Sequence, residues 1–433
     1  PAARTLVLSK GTIMLFSNWL SELLTKPSPR RTCSTPARLL PSLQQARRKH
    51  KSRFQSFASE VLEDRALLTA FVVNTIEDGS VAGDGFVSLR EAITAANTNA
   101  IFLDAPAGED GPGVVDTITF DPSLSGMTIT LSGTALAISD DLIISDSNLV
   151  PVIVDGDGAS RVFEISTGAG TVDISNITMT DGNADQGGGL YVNSGQTLNL
   201  TDVTISANTA TGAAATDGGG GIYNAGGTLN ITGSMITANT ATGTSGSGGG
   251  IFSTDGNVTI ATTTINANTA NRAGGGIELI EGTAMLTTVS LISNDVDLGT
   301  ANPGNGGGVH IPGAADFTMD GGSVFGNLAG REGGGLWNGT GTMTIQNGTI
   351  IQANEAGGDA ADDGGGGIFN NGGTLIVDGS TTAVQIINNV AFGTLGSGGG
   401  IFNAAGGTTV EENVAFGLYH WQASDRQARV QVM

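Results

Sequence analysis

The chain has 433 residues, 69 of them glycine, with 13% charged and 5% aromatic side chains and a formal net charge of −22. Residues 1–70 hold 12 Lys and Arg against 4 Asp and Glu, whereas residues 71–433 hold 6 against 36, with no lysine after Lys51. That acidic, glycine-rich body excludes a nucleic-acid binder, which needs clustered basic side chains, and it is unlike an ordinary globular enzyme domain.

Residues 1–70 form a basic leader, densest at Arg47-Arg48-Lys49-His50-Lys51. It carries the only cysteine, Cys33, so the chain forms no intrachain disulfide. Its longest clean apolar run, Ile13-Met14-Leu15-Phe16, is too short for a secretory signal core. No stretch of the sequence approaches the ~20 apolar residues of a spanning helix. A chain that starts at Pro1 is expected to have its true start elsewhere. The leader ends in Leu62-Glu63-Asp64-Arg65-Ala66-Leu67-Leu68-Thr69-Ala70. That string resembles the Leu-Glu-Pro/Asp-Arg-x-Leu-Leu-Ser-Ala leader motif of large planctomycete cell-surface proteins, a resemblance that implies export.

Residues 71–113 read as a cap. Phe71-Val72-Val73 is a short β-prone run, and Gly83-Asp84-Gly85 is turn chemistry. Ser88 with Glu91 three residues later predicts a capping box. Leu89, Ala92, Ile93 and Ala96 then share one helical face. The run Val87-Ser88-Leu89-Arg90-Glu91-Ala92-Ile93, followed by Ala95-Ala96-Asn97, resembles the CSLREA domain, with valine replacing the family's leading cysteine. In that family the segment precedes a right-handed parallel β-helix. An amphipathic helix laid over the open end of a solenoid would cover otherwise unpaired strand edges.

Residues 114–413 carry an internal repeat. A glycine run ends in an aliphatic residue at Leu190, Ile222, Ile251, Ile277, Val309, Leu336, Ile368 and Ile401. Each is followed by aliphatic-x-x-Asn, ending at Asn208, Asn239, Asn268, Asn294, Asn327, Asn354, Asn389 and Asn413. The first six intervals from aliphatic to asparagine are 17 or 18 residues, while asparagine to the next aliphatic varies from 9 to 15. A fixed rung joined by variable loops marks a solenoid.

Within one unit, Ile222-Tyr223-Asn224, Thr228–Thr232 and Met235-Ile236-Thr237 read as three short strands separated by glycine turns. The fold class is therefore all-β: a right-handed parallel β-helix of the pectate-lyase-like type with a short N-terminal capping helix. About ten coils at ~4.8 Å spacing give a rod of about 50 Å. The asparagines are expected at left-handed corners, stacked as an amide ladder with a structural role. The two landmarks resemble the Gly-Gly-Ala-Ile and Phe-x-x-Asn repeats of chlamydial polymorphic outer membrane proteins. Here glycine replaces the alanine and an aliphatic residue the phenylalanine. The resemblance implies a surface β-helix. The membrane barrel of those proteins has no counterpart in this sequence.

Residues 414–433 lose the repeat: Leu418-Tyr419-His420-Trp421-Gln422 begins a glycine-free tail, expected to be a truncated or frame-shifted coil.

Catalytic candidates are sparse. Arg272 and Arg331 lie in loops about two coils apart, with no lysine to assist a lyase. Asp362-Asp363 and His310 come nearest to a glycosidase set, but they read as a solvated loop and a surface strand residue. Asp155-Gly156-Asp157-Gly158 and Asp295-Val296-Asp297 offer carboxylates to calcium without the acidic spacing of a dedicated loop. No cofactor and no catalytic residue is assigned. The expectation is a secreted or cell-surface, outer-membrane-associated rod that contacts carbohydrate or another surface protein. The alternatives are a polysaccharide lyase or glycoside hydrolase on the same scaffold, and a stalk that spaces other domains.

Overall fold

The computed structural model describes residues 70–79, 81–109, 114–296 and 303–411, and the backbone of 415–416 and 431–432. The leader motif, Asp297, Asn413 and most of the tail lie outside the described residues. The chain winds into an all-parallel β-solenoid of about ten turns with one helix near its N-terminal end.

The coil beginning at Ile222 shows how the sequence makes a turn of the solenoid. Ile222–Thr232 runs as one bent strand, because Ala225, Gly226 and Gly227 form an irregularity in its pairing with the next coil rather than a break. Met235–Thr237 follows after a turn at Gly233. Ile222, Leu229, Ile231 and Ile236 point inward and are fully buried. Each pairs in register with its equivalent one coil on: Ile251, Val258, Ile260 and Ile265. Successive coils thus stack like on like, and one continuous apolar core runs the length of the rod.

A further segment, Thr240–Ala241, follows the asparagine. It pairs with Thr209–Ala210 and Thr269–Ala270 in a separate narrow sheet. The signal is the repeated Asn-Thr-Ala, whose alanines are buried together. Two residues are too few for periodicity to reveal.

The corner geometry corrects one expectation. The left-handed residue is the one before each ladder asparagine: Ala207, Ala238, Ala267, Ser293, Ala353 and Asn388, with Gly326 in the same place. The bend falls there because the asparagine must aim its amide inward. The preceding side chain points away, so a small residue accepts the cost of about 1–2 kcal/mol for left-handed backbone.

At the N-terminal end, helix α1 (Leu89–Thr98) has the capping box: the Ser88 hydroxyl accepts from Glu91 N–H and Glu91 from Ser88 N–H. Its apolar face, Leu89, Ala92, Ile93 and Ala96, is buried against the first coils. Two side chains tie it to the edge it covers. The Arg90 guanidinium pairs with Asp78 at 2.9 Å and donates to the Thr134 and Ala135 carbonyls. Asn97 donates to Ala137 O and accepts from Ser139 N–H, both at 2.8 Å. An amide thus stands in for the strand that would otherwise pair with Leu136–Ile138.

Candidate functional site

Two internal columns run along the rod. The first joins Asn208, Asn239, Asn268, Asn294, Asn327, Asn354 and Asn389, all 2% exposed or less. From Asn208 to Asn389 each amide donates to the oxygen of the next at 2.8–3.0 Å. The same oxygen accepts the preceding asparagine's backbone N–H at 2.9–3.2 Å. Each amide's second N–H donates to a strand carbonyl one coil back, as Asn294 does to Ile265 O at 3.0 Å. Two donors and two acceptor sites per amide are therefore satisfied inside the ladder. It starts where Gly182, in the asparagine's place, gives its N–H to Asn208.

The second column was not legible by alternation. The middle residue of each strand after a glycine run, such as Tyr223 between Ile222 and Asn224, should face solvent. From Tyr223 to Phe402 it is buried instead, and at Tyr191 it is half-buried. The register stacks Glu164, Tyr191, Tyr223, Phe252, Glu278, His310, Trp337, Phe369 and Phe402 in one line. The glycine runs roof this line. A β-carbon on Gly306 would stand 2.6 Å from the β-carbon of His310, and one on Gly333 2.8 Å from that of Trp337. Both glycines have positive φ, so close approach and backbone conformation each require glycine there.

Aromatic rings fill both ends of the line. Tyr191, Tyr223 and Phe252 stack with centroids 5.2 and 5.1 Å apart. Burial pushes the Tyr223 phenol up to about 12. Arg161 closes this end, 4.7 Å from the Tyr191 ring centroid and 2.8 Å from Glu164. Trp337, Phe369 and Phe402 stack at the other end.

A charged cluster interrupts the rings. Glu278 is fully buried, 2.8 Å from His310 Nδ1 and 3.3 Å from Arg272 Nη1. His310 is 2% exposed and packs 4.5 Å from the Trp337 ring. The indole N–H donates to Glu332 at 2.9 Å, and Asn305 donates to the same oxygen at 3.2 Å. Arg331 Nε lies 2.7 Å from Asp363 and 3.4 Å from Glu332. His310 is therefore not a surface strand residue, because the glycine roof covers it. Nor is Asp362-Asp363 wholly solvated: Asp362 is exposed, but Asp363 is buried against Arg331. Sequence reasoning missed Glu278 and Glu332, which no motif announces.

Burial pushes the Glu332 carboxyl above the usual glutamate range against the pull of the Trp337 N–H and Arg331, and the neighbouring Asp363 adds to the rise. A carboxyl whose pKa is raised on folding favours the protonated folded state. Its contribution is fullest below the ordinary glutamate value and is lost as pH climbs through the raised one. Glu332→Gln keeps an acceptor for Trp337 and Asn305 without the charge. Urea titrations should show the variant gaining on the wild type at about pH 7.5 and not at about pH 4. An equal difference at both would refute the assignment.

Among the described residues no group of three or more His, Cys, Asp or Glu could hold a metal. Asp155 accepts the Asp157 N–H in a local turn, and Asp295 pairs through its backbone with Thr269 and Leu328. No described helix is long and apolar enough to cross a membrane. No family model, curated protein or solved structure matches the chain.

Proposed function

We propose that this chain is a secreted or cell-surface β-helix protein, an adhesion, binding or structural module of the polymorphic-outer-membrane-protein-like kind. The observation that carries the reading is the self-satisfied asparagine ladder. Ladder and ring column hold each coil to the next, so the loops between asparagine and glycine run can vary from unit to unit without disturbing the rungs. A long rod of variable loops and Thr/Asn-rich strands suits contact with carbohydrate or another surface protein. The export-type leader motif and the cap motif point the same way. Surface biotinylation of intact native cells, followed by fractionation, should label the protein. Recovery from the cytoplasm alone would overturn the proposal.

One observation favours the enzymatic reading. Glu332 and Asp363 converge on Arg331 Nε, at 3.4 and 2.7 Å, and glycoside hydrolysis uses a pair of carboxyls. Against it, one Glu332 oxygen is engaged by Trp337 and Asn305, and both carboxyls are under 10% exposed. A general acid must reach its substrate oxygen at ~3 Å. Sugar release by the wild type that disappears in Glu332→Gln would establish the hydrolase.

A further inference from the structure

One face of the solenoid has a regularity that the interior does not require. It is built from the strands that run from Thr171–Ser175 through Thr197–Thr201 to Ile368–Asp378. On each, alternate residues point outward and the register stacks them into columns. Two adjacent columns carry Thr197-x-Asn199, Thr228-x-Asn230, Asn257-x-Thr259 and Thr342-x-Thr344. Hydroxyls and amides therefore form a flat two-dimensional array, about 4.8 Å between coils and about 6.7 Å along each strand. Met285 and Ile376 are the apolar members of the second column.

The array is stiff before anything binds. Threonine is confined at χ1. Asn230 donates to Asn199 at 2.8 Å, and Asn199 to Asp173 at 2.6 Å. Groups already held in place lose little entropy on binding. The charge is one-sided: Asp173, Asp316, Asp320 and Asp378 lie on these strands, and no Lys or Arg does among the described residues. An acidic polysaccharide would meet like charge and no Lys or Arg on these strands among the described residues.

We infer that this face docks the surface of a neutral, insoluble polysaccharide, whose repeated hydroxyls match a repeated array of donors and acceptors. This rests on the surface-protein reading above and narrows its partner to one class. A single sugar would engage few of these groups, whereas a chain surface engages many coils at once.

The test is retention of the full chain on microcrystalline cellulose and on chitin, with calcium pectate as the acidic comparison. Retention is expected on at least one neutral solid and not on pectate. Asn230→Lys with Thr344→Lys should weaken it about tenfold, whereas Thr264→Lys on the neighbouring face should leave it intact. The isosteric pair Thr228→Val and Thr342→Val removes hydroxyls without risk to the strands, and should also weaken it. No retention on either neutral solid, stronger retention on pectate, or indifference to the face variants would overturn the inference. Inhibition of ice recrystallisation without glycan retention would also overturn it, assigning the array to ordered water. A chain labelled at the cell surface but not retained would lose only this inference and leave the surface reading standing.

Discussion

Asn294→Ala is expected to cost about 3–6 kcal/mol, enough to place it among the most damaging single substitutions in the rod. The position is a middle rung, fully buried, with ladder neighbours on both sides. Truncation orphans the Asn268 backbone N–H and one of its amide N–H groups, and takes a donor from the Ile265 carbonyl. Each buried polar group left unpaired costs about 1–3 kcal/mol, and water has no polar pocket to enter. Asn294→Asp separates hydrogen bonding from packing. Its carboxylate would set oxygen against Asn327 Oδ1 and Ile265 O, where the amide donates. Burial and those oxygens would raise the introduced carboxyl's pKa, so the variant should regain stability as pH falls and the group protonates. Chemical denaturation of both variants at neutral and acidic pH is the measurement. A cost below about 1 kcal/mol for Asn294→Ala would mean that the ladder is not what holds the coils.

The scaffold could be read because stacking forces it on the sequence. An inward aliphatic must meet its own equivalent one coil away, so Ile222, Ile251 and Ile277 recur with their glycine runs in front of them. A buried asparagine needs another asparagine above and below, so the ladder also recurs. What failed was inference about the outward side. Strand alternation alone marks Tyr223, Phe252 and His310 as exposed, and it is the loop folding back that buries them. Their signal was present: an aromatic residue follows the landmark aliphatic at Tyr191, Tyr223, Phe252, Trp337, Phe369 and Phe402. The charged cluster had no such signal. Arg272 and Arg331 were visible as rare cations, but their partners Glu278 and Glu332 resemble any other acid in an acidic chain until the register brings them together. The second amide series, Asn338 to Asn370 to Asn403 at 2.8 and 2.7 Å, was hidden in the same strands.

Glu278→Ala should destabilise the rod, whereas the pair Glu278→Phe with His310→Phe should not. Removing Glu278 alone leaves His310 Nδ1 without its buried partner and Arg272 with the Ser247 hydroxyl at 3.0 Å. Breaking one side of a buried pair costs about 3–5 kcal/mol. The double substitution instead continues the column on both sides: Phe252 would meet a ring, and that ring a second one before Trp337. Stacked rings at about 5 Å add about 0.5–1.5 kcal/mol per contact beyond their buried area, and two buried ionisable groups no longer need desolvation. Arg272 keeps access to water, its side chain being 22% exposed. The expected result is neutral to about 4 kcal/mol more stable than wild type. Thermal and urea unfolding of the two variants side by side would decide it. A destabilised double variant would mean that the Glu278–His310 pair holds the column in a way that rings do not.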